Sequence, residues 1–320
     1  MPQYLARRLV MFIPVLLGVS LLIFALMRVL PGDVALMILA GSSGEGSVTQ
    51  EQLRTLRHKL GTDRPVYEQY ARWIWGLATL DAGRSLKTDQ PVLDEIRRRF
   101  PITLELAVLT AVIATIVSLP LGVISAIRQD TWLDYVMRII SIAGLAAPTF
   151  WIGTLMILAM VRFFNWIPPL GFASLIDDPA TNIQQVIWPA LALGYHFVAV
   201  VSRMTRSQML EVMRQDYIRT AWSKGLRERF VIYRHALKNA LIPVITLMGL
   251  QFAFLLGGTV IMETIFVIPG LGRTLVESIT FRDYPMVQAI VMLFAVVILV
   301  SNLFVDLVYA WLDPRISFQG

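Results

Sequence analysis

Apolar residues in this chain fall into long unbroken runs instead of alternating with polar ones. A helix rises 1.5 Å per residue, so a hydrocarbon layer of about 30 Å takes roughly 20 apolar residues to cross. Six runs reach or approach that length, and they predict helices over about 9–30, 102–127, 136–161, 186–202, 240–262 and 285–311. The fourth is short. A barrel would need alternating segments of about ten residues. A helix satisfies its own backbone hydrogen bonds within the bilayer. The expected fold class is therefore an all-α integral membrane protein with six transmembrane helices.

Between the first two runs, residues 31–100 read as an insert. Gly41 to Ser47 has the composition of a flexible linker. Thr49-Gln50-Glu51-Gln52 then opens a helical pattern, with Leu53, Leu56 and Leu60 on one side and Gly61 as its stop. Tyr67, Tyr70, Trp73, Ile74 and Leu77 mark a second amphipathic helix, suited either to a membrane interface or to a small packed cap. The predicted organisation is 1–30 (N-terminus and first span), 31–100 (insert) and 101–320 (five-span core), with a polar loop at 203–240.

Composition agrees with this reading. Of 320 residues, 56% are hydrophobic and 16% charged, against about 45–50% and about 25% in soluble domains. The net charge of +6 points to no nucleic acid, because its location explains it. Nine basic residues (Arg203, Arg206, Arg214, Arg219, Lys224, Arg227, Arg229, Arg234 and Lys238) face Glu211, Asp216 and Glu228 in one loop. Positive loops stay on the cytoplasmic side. Arg7 and Arg8 place the N-terminus there too, and six spans return the C-terminus to the same side. The insert and the loops near Asp177 and from Glu263 to Asp283 are then extracytoplasmic. The first run exceeds the roughly 7–15 residues of a signal-peptide core, so a retained anchor is expected.

Catalytic and metal chemistry finds little support. The chain has no cysteine, which excludes disulfides and thiolate sites. Of Lys59, Lys87, Lys224 and Lys238, only Lys87 precedes a Thr, and Leu86 stands where a phosphate loop has glycine. His58, His196 and His235 are scattered, with no metal-ligand spacing. Gly41-Ser42-Ser43-Gly44 echoes a serine protease signature, but it sits in the linker with no base in reach. Arg28, Glu105 and Asp306 are near the ends of spans, so no mid-membrane relay argues for a coupled carrier. No cofactor or metal is expected. Small residues recur every four positions at Ser118/Gly122/Ala126 and at Gly249/Ala253/Gly257, a spacing that serves helix packing or lines a translocation path.

The segment 216–243 decides between function classes. Tyr217, Ala221, Trp222 and Gly225 share roughly one helical face, and two of them are small enough to let another surface approach. Asp216-Tyr217-Ile218-Arg219-Thr220-Ala221, Lys224-Gly225-Leu226 and the run Arg234 to Pro243 together resemble the cytoplasmic "EAA" loop of membrane subunits in binding-protein-dependent ABC importers. They are closest to its dipeptide/oligopeptide/nickel permease branch. Arg219 and Thr220 depart from Glu-Ala, in the form this branch shows. Further matches follow in order at Leu30-Pro31-Gly32-Asp33, Leu60 to Pro65, Gly83-Arg84-Ser85, Pro101 to Leu106, Glu263 to Phe266, Pro269 to Gly272, Arg282 to Pro285 and Asp313-Pro314-Arg315.

The resemblance implies a type I importer permease fold in the bacterial plasma membrane. Its partners would be a second paralogous permease subunit, two separate ATPase subunits and an extracytoplasmic binding protein. Asp216, Tyr217, Arg219, Thr220, Ala221, Lys224, Gly225 and Leu226 would form the ATPase-coupling loop. The cargo it implies is di- or oligopeptides, with nickel chelates or glutathione as alternatives. A stand-alone carrier is the distant alternative.

Overall fold

The computed structural model describes residues 2–29, 35–36, 39, 49–169 and 171–312. The sequence features at 30–33, 41–47 and 313–315 lie outside them. The described residues are helical almost throughout: α1 (Pro2–Val29), α2 (Gln50–Leu60), α3 (Val66–Ala78), α4 (Val92–Ile127), α5 (Trp132–Ala146), α6 (Thr149–Phe164), α7 (Pro179–Met213), α8 (Asp216–Ser223), α9 (Lys238–Ile265), α10 (Leu271–Thr280) and α11 (Tyr284–Leu312). Five helices are long and apolar enough to cross a membrane, or six if the bent pair α5–α6 counts as one span.

That bend departs from the continuous helix expected over 136–161. The two segments meet at 108°. Pro148 is the cause: its ring disfavours helical backbone at the preceding residue, and Ala147 is extended with φ −83° and ψ 126°. The fourth span is longer than expected, because α7 runs 35 residues with polar turns at each end. Pro243 ends nothing; it lies inside α9. Membrane helices tolerate such a proline because neighbouring groups satisfy the freed carbonyl.

The chain forms two compact units. The first combines residues 1–101 with 274–299. Both insert helices form where the pattern placed them. Thr49 N–H donates to the Gln52 side chain at 3.1 Å, and Gly61 closes α2 in the left-handed region at φ 69°. Phe24 of α1 packs with Tyr70 and Trp73 of α3 at 5.3 and 5.9 Å between ring centres, and Ser20 Oγ shares a 2.8 Å hydrogen bond with Tyr70 Oη. The second unit holds 102–273 and 300–320. Its core surrounds α7, with Val186, Ala190, Leu193, Phe197 and Val201 buried against Leu106 and Ala114 of α4 and Val244, Leu255 and Met262 of α9.

Close helix approach is visible where small residues recur. A Cβ on Gly122 would stand 2.5 Å from Thr205 Cβ and 2.7 Å from the Ser202 carbonyl oxygen. Ser118 and Ala126 are buried on the same helix. On α9 the three positions behave differently. Gly249 has Val305 of α11 against it, at 2.1 Å from the position of an added Cβ. Ala253 is half-buried. Gly257 faces open space, and its neighbour Gly258 is the one lying against Leu193.

Candidate coupling surface

The loop that follows α7 folds back onto its own unit. α8 is only eight residues long, too short to persist in water without tertiary packing. Ile218 is fully buried and Ala221 is 6% exposed. They pack with Met209 of α7, Val123 and Ala126 of α4, and Val231, Ile232 and Ala236. The last three belong to a π-helical stretch, Val231–Leu237, that leads into α9. Burying an isoleucine side chain contributes roughly 1.5–3 kcal/mol, so this patch is what holds α8 in place. Leu226 packs against the same cluster.

The polar side of α8 points away. Tyr217 and Trp222 are 43% and 42% exposed, and Arg219, Thr220 and Lys224 are exposed as well. Asp216 pairs with Arg219 at 3.4 Å on the surface, and Tyr217 Oη accepts a 2.9 Å hydrogen bond from Asn239 Nδ2. Phe230 and Tyr233 add two more exposed rings, with the Arg234 guanidinium 5.1 Å from the centre of Phe230. Exposed aromatic rings with arginines are the composition of protein interfaces.

The expected shared face of Tyr217, Ala221, Trp222 and Gly225 is divided in three dimensions. Ala221 turns inward, so its smallness serves packing within this chain. α8 ends at Ser223, and Gly225 lies beyond it at φ 73° with nothing within 4 Å of an added Cβ. Glycine suits this position because the turn is left-handed; its open side leaves room for another surface.

Three buried carboxylates escaped the sequence reading of charge. Asp134 is fully buried and receives Arg206 in a bidentate pair, Nε at 2.8 Å and Nη2 at 2.7 Å. Ser125 Oγ and the Asp130 N–H also donate to it. This ties α5 to α7 just above the α8 patch. Glu263, also fully buried, accepts from Thr103 Oγ1 at 2.6 Å and from the Arg273 N–H at 3.0 Å, and Thr103 Oγ1 accepts from the Leu271 N–H at 2.8 Å. An added Cβ on Gly270 would lie 2.3 Å from that carboxyl carbon. Asp283 accepts from Ser85 Oγ and from the Leu86 N–H. The short motifs at 83–85 and 282–285 are thus one contact, and those at 101–106, 263–266 and 269–272 another. The residue types were legible in the sequence; their pairing across 72 to 198 residues was not.

Among the described residues no three His, Cys, Asp or Glu side chains gather as a metal site.

Comparison with known proteins yields a consistent answer. Residues 118–318 match the family described as binding-protein-dependent transport system inner membrane component, and residues 1–107 match the N-terminal component of such membrane proteins. A dipeptide transport system permease protein, DppB, of Escherichia coli K12 is 41% identical over 342 aligned positions, covering 100% of both chains. DppB of Alkalihalophilus pseudofirmus is 38% identical over 338 positions, covering 99% of this chain and 100% of its own. Among solved structures, the MetNI methionine ABC transporter in inward-facing form aligns with TM-score 0.57 at 15% identity, over 69% of this chain and 97% of that one. An amino acid ABC transporter solved with histidines aligns with TM-score 0.52 at 15% identity, over 70% and 95%. Each shares this chain's fold over the part it covers.

Proposed function

Because the chain belongs to the binding-protein-dependent transport system inner membrane component family, we propose that it is the permease subunit of a bacterial ABC importer for di- and oligopeptides. The peptide cargo is carried over from the DppB relatives, which are dipeptide permeases over their full length. In this reading the loop 203–240 and both termini face the cytoplasm. One of two ATPase subunits grips the exposed side of α8, a second paralogous permease completes the pathway, and an extracytoplasmic binding protein delivers the peptide.

The observation that carries the proposal is the division of α8. One side is anchored on the chain's own core by Ile218 and Ala221. The other presents Tyr217, Arg219, Trp222 and Lys224 to a partner. A helix held this way transmits force, since pushing on it pushes on α4, α7 and the start of α9. ATP-driven closure of the ATPase pair would then bias the spans between inward- and outward-open states, to the extent that each state is bound differently.

The decisive experiment compares Gly225→Arg with Gly225→Asn. Asn tolerates the left-handed backbone that Gly225 adopts, so it isolates the effect of size and charge. Gly225→Arg is expected to insert and accumulate normally yet abolish ATP-driven dipeptide uptake, while Gly225→Asn keeps most of it. Unchanged uptake with Arg removes the coupling assignment. Sidedness has its own check: a membrane-impermeant amine reagent should modify Lys224 only in inside-out vesicles, and modification from the outside would reverse the orientation.

A further inference from the structure

Two cavities in the first unit lie end to end along the same three helices. The polar one, about 310 Å3, is at the end of α1 and the start of α11; its lining includes Arg28, Arg64, Arg72, Trp73 and Gln288. The apolar one, about 440 Å3, lies deeper and is lined by Leu17 and Ser20 of α1, Ile74 and Leu77 of α3, and Ala289 and Met292 of α11. They meet at consecutive residues on two helices, Trp73 then Ile74 and Gln288 then Ala289.

Among the described residues, the polar cavity has more positive groups than negative partners. Glu68 serves both Arg64, at 2.7 Å, and Arg72, at 2.9 Å. Arg28 donates to a neutral acceptor, Gln69 Oε1, and its guanidinium is 4.7 and 5.5 Å from the ring centres of Phe24 and Tyr284. His58 also lines the cavity and is matched by Asp63 at 2.7 Å. Among the described residues, Glu68 is the one carboxylate in an ion pair with any of these three guanidinium groups, and Asp63 acts on Arg64 at longer range. Gln288 is 5% exposed, and its Nε2 and Trp73 Nε1 are buried donors with no hydrogen-bond partner among the described residues. A buried donor left unmade is unfavourable, and two in one cationic cavity point to an acceptor that fills it when bound.

We propose that this pair of cavities binds an anionic phospholipid, its phosphate among Arg28, Trp73 and Gln288 and one acyl chain in the apolar groove. A phosphate oxygen would satisfy both orphan donors and the excess guanidinium charge. The cavity sits where α1 ends and α11 begins, at headgroup depth for a spanning helix, with Trp73 as an interfacial aromatic. The apolar groove continuing below favours a lipid over a soluble anion, which has no use for it. This inference does not depend on the peptide reading or on ATPase coupling.

The test is native mass spectrometry of the full-length chain in detergent, titrated with dioleoylphosphatidylglycerol and, separately, with inorganic phosphate. Arg28→Gln and Gln288→Leu are each expected to weaken lipid retention by about tenfold, the effect of losing one charge-assisted contact. Gln288→Leu also removes an unpartnered donor, so a purely structural role predicts equal or higher thermal stability with unchanged lipid binding, which would overturn the proposal. Met292→Trp, which fills the apolar groove, should weaken the dioleoyl lipid and leave a dihexanoyl analogue unaffected; equal loss of both would overturn the acyl-chain part. Inorganic phosphate binding as tightly as the lipid, and abolished by Arg28→Gln, would identify a soluble-anion site instead.

Discussion

Asp134 and Arg206 show how a single pair can hold a membrane protein together. Asp134 is fully buried, and Arg206 reaches it through two hydrogen bonds. Removing one partner leaves a charge stranded, at a cost of about 3–5 kcal/mol, whereas replacing both with apolar residues is often neutral. Asp134→Asn is therefore expected to lower the thermal midpoint sharply, and the double variant Asp134→Leu/Arg206→Met to recover most of it. A double variant no better than the single one would show that the pair adds nothing beyond the two residues separately. Gly225 works differently. Its contribution is backbone freedom at φ 73°, so its Asn variant should be milder than any other substitution there.

At the scale of elements, α8 and α9 make opposite demands on small residues. Ala221 is small because the core beneath α8 is close. Ile218→Ala would open a cavity in that core and cost about 2–5 kcal/mol; limited proteolysis between 214 and 227 should rise in step. On α9, Gly249→Leu would drive a side chain into Val305, which an added Cβ already meets at 2.1 Å. It should destabilise the chain by several kcal/mol and be partly rescued by Val305→Ala. A Cβ added at Gly257 meets nothing within 4 Å, so Gly257→Ala should leave thermal stability unchanged or raise it slightly. The period of four residues flagged both glycines alike, because a repeat on a helix says which positions share a stripe and not which stripe has a neighbour. The hydrophobic pattern runs one helix across Pro148 because apolar residues continue on both sides of it; the break and its 108° angle emerge only from the fold, where α5 and α6 each pack separately.

For the molecule as a whole, the contacts that matter join residues far apart in the chain. Ser85 and Asp283 connect the insert to the entry of the last span, and Thr103 and Glu263 join the second span to the last turn of α9. Asp283→Ala would orphan the Ser85 hydroxyl and the Leu86 N–H, about 1–3 kcal/mol for each buried group left unmade. The expected result is faster proteolysis within 83–92 at unchanged cleavage of 214–227. Equal acceleration at both places would mean that the two regions unfold together.

Sequence by itself determined the class: runs of about 20 apolar residues admit a membrane-spanning helical fold and little else, and the caps at Thr49 and Gly61 needed only local chemistry. It also pointed to 216–226 as the candidate handle, because charge and small residues concentrate there. Tertiary structure decided which side of that handle is occupied, which glycines are crowded, and which buried carboxylate meets which donor. The physical reason is range. Hydrogen bonds within a helix close over four residues and leave their trace in the local sequence, whereas the partners of Asp134, Glu263 and Asp283 are chosen by packing between helices that come together only when the chain folds.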